Sequence, residues 1–298
     1  MGIQKVCEVI QLKNNELYME IRPLQIKLLE ILKYFDTFCR DNNITYYAYG
    51  GTALGAARHN GVIPWDDDVD VVMTQENFEK FLKVFSDKGD VKNFYLQVYS
   101  KILPKQIYAK LRLNGTTFIE DGYKDWKIHQ GLYIDIFTLQ ETKESIISQV
   151  WQFICGKYIL LQTYAPKKHR YRGILIECVL KVFNLMPRFF LSRFAHNQLL
   201  KNNGKKCKYY SKYTEGCSLS SGRFEKNVFG VPKELPFEGI LIEVPSDIEQ
   251  FLTQTYGDWM KIPSEEEIRK HIHFSTYFID KDFKDVLKIN ELTDEEFL

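Results

Sequence analysis

Between Pro23 and Cys39 the apolar residues Leu24, Leu28, Leu32 and Phe35 recur at the period of a helix that buries one face. Pro23 suits a first helical turn, and Asp41-Asn42-Asn43 ends the run. The pattern then changes to strands. Ile44 to Tyr49 reads as one, Asp68 to Met73 as a second, and Ile107 to Leu113 and Gly131 to Phe137 as two more. Thr52 to His59 reads as a short helix after a Gly-Gly turn. Thr74 is placed to cap another that runs to about Phe85, and Ser246-Asp247 opens one ending near Gly257, after a strand at Ile240 to Val244. Between Thr142 and Ser211 the pattern is mostly helical. The expected class is α+β: a mixed β-sheet flanked by helices, with residues 1–141 and 214–298 forming the core and 142–213 a helical subdomain.

A chain of 298 residues with 45% hydrophobic content can bury a real core. Its net charge of +1 hides a segregation. Residues 157–212 hold thirteen Lys and Arg against the single acid Glu177, so that segment carries +12 and the remainder −11. Apolar clusters such as Ile174-Leu175-Ile176, Val182-Phe183 and Phe189-Phe190-Leu191 interleave with these cations, and no run reaches the ~18 uncharged apolar residues of a membrane span. Two readings stand: helices lying in the interface of an anionic membrane, or amphipathic core helices with a basic solvent face. No nucleic-acid motif accompanies the cations, so nucleic acid is not an expected partner.

The candidate chemistry lies upstream. Asp68 and Asp70 alternate with Val69 and Val71, which on a strand puts both carboxylates on one face. Carboxylates are the ligands that Mg²⁺ and Mn²⁺ prefer, and Gly50-Gly51-Thr52 before them allows backbone N–H groups to approach a phosphate. A calcium loop starting at Asp66 would want Gly at 71 and Glu at 77, where Val71 and Asn77 stand. Asp135, between Ile134 and Ile136, is the third expected carboxylate, either a metal ligand or the base near the attacking hydroxyl. Arg58, Lys110 and Arg112 are candidates for phosphate contacts, the last two sharing a strand face.

The run from Gly50 to Asp70, GGTALGAARHNGVIPWDDDVD, closely resembles the signature of the LicD family, whose relatives include fukutin and fukutin-related protein. Further matches are Lys110-Leu111-Arg112, Gly131 to Phe137, Glu238 to Pro245, and Tyr256-Gly257-Asp258 with Pro263 and His271. The resemblance implies a nucleotidyltransferase-like fold and transfer of a substituted phosphate from a CDP-activated donor to a sugar hydroxyl, releasing CMP. It places Asp68, Asp70 and Asp135 at the metal, and Gly50, Gly51, Thr52, Arg58, Trp65, Asp66, Asp67, Lys110, Arg112, Tyr133 and His271 around the substrate. Choline phosphate from CDP-choline is the expected cargo, and a quaternary ammonium would want aromatic rings, for which Trp65, Trp126, Tyr133 and Trp259 are available. Ribitol phosphate, glycerol phosphate or nucleotidyl transfer with pyrophosphate release remain alternatives. The expected acceptor is a lipid-linked glycan such as a teichoic acid or capsule precursor.

The six cysteines form no CxxC pair and read as reduced thiols. Residues 1–6 lack the apolar stretch of a signal peptide, and Val6 stands where a myristoylation signal wants Ser or Thr. The expected location is cytoplasmic, peripheral at the inner face of the plasma membrane.

Overall fold

A computed structural model describes residues 15–98, 107–120, 126–164, 188–269 and 274–288. In chain order its elements are α1 (Asn15–Asp41), β1 (Tyr47–Ala48), α2 (Gly50–His59), β2 (Asp70–Thr74), α3 (Gln75–Lys88), β3 (Phe94–Val98), β4 (Tyr108–Leu113), β5 (Thr117–Glu120) and β6 (Tyr133–Thr142). There follow α4 (Ile146–Tyr164), α5 (Arg188–Leu200), β7 (Tyr209–Ser211), β8 (Arg223–Glu225), α6 (Lys226–Phe229), β9 (Lys233–Phe237) and β10 (Ile240–Val244). The last are α7 (Ile248–Tyr256), α8 (Glu265–Arg269), β11 (Phe274–Phe278) and α9 (Phe283–Leu287).

The main sheet runs β1-β2-β6-β4-β3, with β7 and then β8 continuing from the far end of β6. Its pairs are antiparallel except β2 with β6, which is parallel and aligns Asp70 with Asp135. β9–β10 and β5–β11 form two separate antiparallel ribbons. The architecture is the α+β arrangement, a mixed sheet flanked by helices, that the segments predict, and it is consistent with the nucleotidyltransferase-like fold that the resemblance implies.

Helix α1 begins eight residues before Pro23, which therefore lies inside it. The apolar stripe explains this: Ile21 is as fully buried as Leu24, Ile31, Leu32 and Phe35, so packing continues across the proline despite the lost N–H donor. Phe35 and Phe38 meet Phe81 and Phe85 of α3. Thr74 caps α3 by accepting from the Asn77 N–H, and Asp247 caps α7 by accepting from Gln250. Ile44 to Tyr46 precede the short β1 rather than belonging to it, and β2 starts at Asp70, two residues later than expected. Met73 and Val72 of β2, Ile134 and Ile136 of β6, and Ala109 and Leu111 of β4 fill the core beneath the helices.

Helices α4 and α5 pack on one another beside β6 around a second, smaller apolar cluster that includes Cys155, Ile159, Ala195 and Leu199. The segment between them, residues 165–187, lies outside the described residues, as do much of the expected basic tract and its apolar clusters. Among the described residues no helix is long and apolar enough to cross a membrane.

One polar anchor ties α1 to the sheet: Tyr46, fully buried, donates its hydroxyl to Asp36 at 2.7 Å, and Arg40 holds the same carboxylate at 2.8 Å. Tyr46→Phe deletes that hydroxyl without leaving Asp36 unbonded, so it should lower the unfolding free energy by about 1–2 kcal/mol in urea titration.

Candidate active site

Tyr49 leaves β1 in an extended conformation, and Gly50, at φ +52°, turns the chain directly into α2. The helix thus starts at the glycine pair, two residues earlier than Thr52. A Cβ on Gly50 would sit 2.8 Å from an Asp70 carboxylate oxygen, and one on Gly51 2.3 Å from an Asp66 oxygen. The missing side chains are what allow two carboxylates against the N-terminus of α2, where free N–H groups and the helix dipole favour negative charge. Thr52 adds a cross-link, its hydroxyl accepting from the Asp70 N–H at 2.8 Å.

A row of side chains crosses the sheet from this point. Asp70 on β2 is the registered partner of Asp135 on β6, which pairs with Lys110 on β4, which pairs with Gln97 on β3. Asp135 accepts from the Tyr108 hydroxyl at 2.5 Å and from the Lys110 ammonium at 3.3 Å. The Lys110 ammonium also binds Glu120 at 2.8 Å and lies 3.3 Å from the centre of the Tyr133 ring. Arg112, 3% exposed, donates to Gln97 and the Gly131 carbonyl and packs its guanidinium 4.7 Å from the same ring. Burial works against the ionised Glu120, but Lys110 and Arg112, helped by bonds from Lys110 and Tyr133, hold its carboxyl down at about 2. Lys110, Arg112 and Tyr133 therefore form a compact ion cluster with Glu120, rather than reaching into open space.

The open space is a cavity of about 430 Å³ on the other side of Asp70. Its acids are Asp66, Asp68, Asp70, Glu215 and Asp258, and its rings Tyr49, Trp65, Phe137, Tyr256 and Trp259. Arg58, which donates to the Trp259 carbonyl at 2.8 Å, and Lys212 supply positive charge. Glu215 is the carboxylate with no forewarning in the sequence. It accepts from the Tyr49 hydroxyl at 2.8 Å, lies 3.8 Å from Lys212, and burial pushes its carboxyl upward.

Burial, followed by the charges of Asp68, Asp135, Asp66 and Glu215, raises the Asp70 carboxyl well above its ordinary range. Burial, followed by the charges of Asp70, Asp66, Asp68 and Glu215, also raises the Tyr256 phenol. Burial and then Arg58 push His59 down to about 4. So dense a set of like charges is the setting in which a dication is held, and the donor oxygens are of the kind that Mg²⁺ and Mn²⁺ take.

The structure gives the expected carboxylates Asp68, Asp70 and Asp135 unequal places. Asp70 and Asp135 do stand side by side, and the charge of Asp68 bears on Asp70. Among the described residues, however, the three carboxylates whose oxygens fall within 4.8 Å of one another are Asp66, Asp67 and Asp68, because the chain is still turning there and has not yet entered β2. Asp67 is buried, and Asp135 is not among the residues lining the cavity. Of the four aromatics expected near an ammonium, Trp65 and Trp259 line the cavity, whereas Tyr133 packs under Lys110 and Arg112, and Trp126 joins the α4–α5 cluster. His271 lies outside the described residues. Tyr256 and Asp258 stand in a stretch already singled out as a motif, but Lys212 and Glu215 belong to the turn after β7 and carry no local signature.

Comparison with known proteins adds to this geometry. Residues 43–160 match the family model described as LicD/FKTN/FKRP, nucleotidyltransferase domain. Over 265 residues the chain is 29% identical to the lipopolysaccharide cholinephosphotransferase LicD of Haemophilus influenzae, an alignment covering 85% of this chain and 96% of that protein. Stretches of 67 residues, 22% of this chain, are 37% and 40% identical to uncharacterized proteins of Rickettsia typhi and Rickettsia prowazekii, covering 22% and 25% of those proteins. The matched domain contains the glycine turn and Asp66, Asp67, Asp68, Asp70 and Asp135, so over residues 43–160 the chain is similar to the LicD family.

Proposed function

We infer that this chain transfers phosphocholine from CDP-choline to a sugar hydroxyl of a lipid-linked glycan and releases CMP. The observation that carries this reading is one cavity with two chemistries: carboxylates set on the N-terminus of α2, and the rings of Tyr49, Tyr256 and Trp259 on its wall. The first suits a diphosphate bound through a dication, the second a quaternary ammonium. The likeness to a lipopolysaccharide cholinephosphotransferase supports the cargo. Teichoic acid or capsule precursors offer the same acceptor hydroxyl on a lipid carrier, at the inner face of the plasma membrane.

Asp66, Asp68 and Asp70 would hold Mg²⁺ or Mn²⁺, with Asp67 behind them. Held there, a dication would supply charge neutralisation for the donor's phosphate oxygens as CMP departs. The Gly50 and Gly51 N–H groups and Arg58 bind further phosphate oxygens. Asp135, beside Asp70 in the parallel strand pair, would take the proton of the attacking hydroxyl. Tyr108 and Lys110 keep Asp135 in place, while Glu120 fixes Lys110. Tyr49, held by Glu215, presents its ring to the choline side.

A panel of CDP-linked donors tests the cargo. CDP-choline should give CMP only when an acceptor glycan is present, and Trp259→Leu should raise its KM by about tenfold while leaving CDP-ribitol or CDP-glycerol turnover little changed. Pyrophosphate release from CTP, or acceptor-independent CMP release, would exclude phosphocholine transfer.

Asp70→Asn should reduce transfer by more than about a hundredfold in an initial-rate assay. In wild type, Mn²⁺ should raise Tm by at least about 2 °C, and the variant should lose that shift. The sign of the pH effect follows from the raised carboxyl. The folded chain binds the Asp70 proton more tightly than the unfolded chain, whose value is 3.8, so cation-free protein loses stability as pH rises from there through the folded value. Asp70→Asn should flatten that decline.

A further inference from the structure

Helices α4 and α5 bury one apolar seam between them and expose a second apolar face. On α4, Gln149 and Gln152 point inward and are almost completely buried, Gln152 bonding to Thr142 and to the Glu141 and Leu199 carbonyls, and Gln149 to the Lys143 and Glu144 carbonyls. On α5, Ser192 and His196 are the buried polar residues. The outward positions carry Ile147, 79% exposed, Trp151, 41%, Ile154, 52%, and Phe194, 50%. Residues 147, 151 and 154 follow one helical stripe, and Trp151 meets Phe194 edge-on at 6.3 Å, which joins the two helices into one apolar face.

An apolar groove of about 360 Å³ runs along it. Large apolar side chains exposed as one continuous face, beside an apolar seam already buried, mark a surface that leaves water.

We propose that this α4–α5 face inserts into the interface of an anionic lipid bilayer, lying along it and holding the reaction cavity at the headgroups. The proposal deepens, and rests on, the reading that the acceptor is lipid-linked. Charge selects the occupant. Helices α4 and α5 contain Lys157, Arg188 and Arg193 and no acid, and Lys201, Lys205, Lys206 and Lys208 follow before the next acid in the chain. Arg193, Lys201, Lys205, Lys206 and Lys208 are exposed. Lys208 pairs with Glu225 at 3.3 Å, and apolar side chains set beside the exposed Arg193, Lys201, Lys205 and Lys206 suit acyl chains below anionic headgroups.

The face is also coupled to the cavity. Lys157 lines the groove and donates its ammonium to the Glu215 carbonyl, while the Glu215 side chain lines the reaction cavity. One residue step therefore separates the apolar surface from the site where an acceptor sugar would be attacked.

The test is cosedimentation of the full chain with vesicles of phosphatidylglycerol and phosphatidylcholine, or of phosphatidylcholine alone, with wild type and the exposed double variant Ile147→Ser/Ile154→Ser. Wild type should bind the anionic vesicles, the variant at least about tenfold more weakly at unchanged Tm. Brominated lipid should quench wild-type fluorescence, and Trp151→Phe should remove that quenching. If wild type binds and the double variant binds equally, with Trp151 unquenched, the face is not the lipid contact, although the membrane reading survives. If the double variant lowers Tm without changing vesicle binding, the face is covered by residues 165–187 or by a second copy, and the proposal falls. If wild type binds no vesicle, the membrane reading fails with it. Turnover of a soluble acceptor glycan by the double variant separates these outcomes from the transfer reaction, which should be unaffected.

Discussion

The structure turns on the crowding of carboxylates at the start of α2. Asp66, Asp68 and Asp70 share one cavity wall with Glu215, and Asp135 stands beside Asp70 in the parallel strand pair. Alone, such a cluster would repel itself and resist burial. Two features make it tolerable. Glycines at 50 and 51 bring backbone donors and a helix N-terminus against the oxygens, and the cation of Lys110 on the next strand over balances Asp135. On the cavity side Lys212 stands 3.8 Å from Glu215 and Arg58 lines the wall, while burial and then the charges of Asp68, Asp66 and Glu215 still raise the Asp70 carboxyl, a potential that would favour a bound cation.

The sheet order follows the same logic. β6 sits between β2 and β4, so one face of a single strand carries Tyr133, Asp135 and Phe137 past three environments. Tyr133 packs under the Lys110–Arg112–Glu120 cluster, Asp135 mediates between that cluster and Asp70, and Phe137 reaches the cavity wall. The buried ion cluster stiffens the strand that aims Asp135. A cation buried at 5% exposure with two carboxylates around it is a positioning element, since freeing Lys110 for a phosphate would leave Glu120 and Asp135 without their counter-charge.

What the sequence made legible was local. The Gly50-Gly51 turn, the alternation around Val69 and Val71, and Asp135 between two isoleucines all signal through immediate neighbours, and the structure brings them together. The errors arise where distant packing decides. Pro23 sits inside α1 because Ile21 and Leu24 share a buried stripe. Asp68 precedes β2 because strand pairing with β6 begins only at Asp70. Arg112 shares a face with Lys110, as its spacing says, yet its partners, Gln97 and Gly131, come from pieces of chain that spacing cannot locate. Glu215 and Lys212 enter the cavity from a turn 145 and 142 residues beyond Asp70, and nothing in their own surroundings distinguishes them from a solvated acid and base.

The charge segregation gains a physical meaning once the two surfaces are placed. A cavity lined by five carboxylates would be repelled by an anionic bilayer if its field reached that far. At physiological ionic strength the field of exposed charges decays over about 8 Å, so charge laid close to the lipid governs approach, and charge recessed in a cleft does not. Among the described residues, the exposed Arg193, Lys201, Lys205 and Lys206 lie on α5 or just after it, near the exposed apolar side chains of α4 and α5, while the acids of the cavity lie behind Lys157 and Glu215.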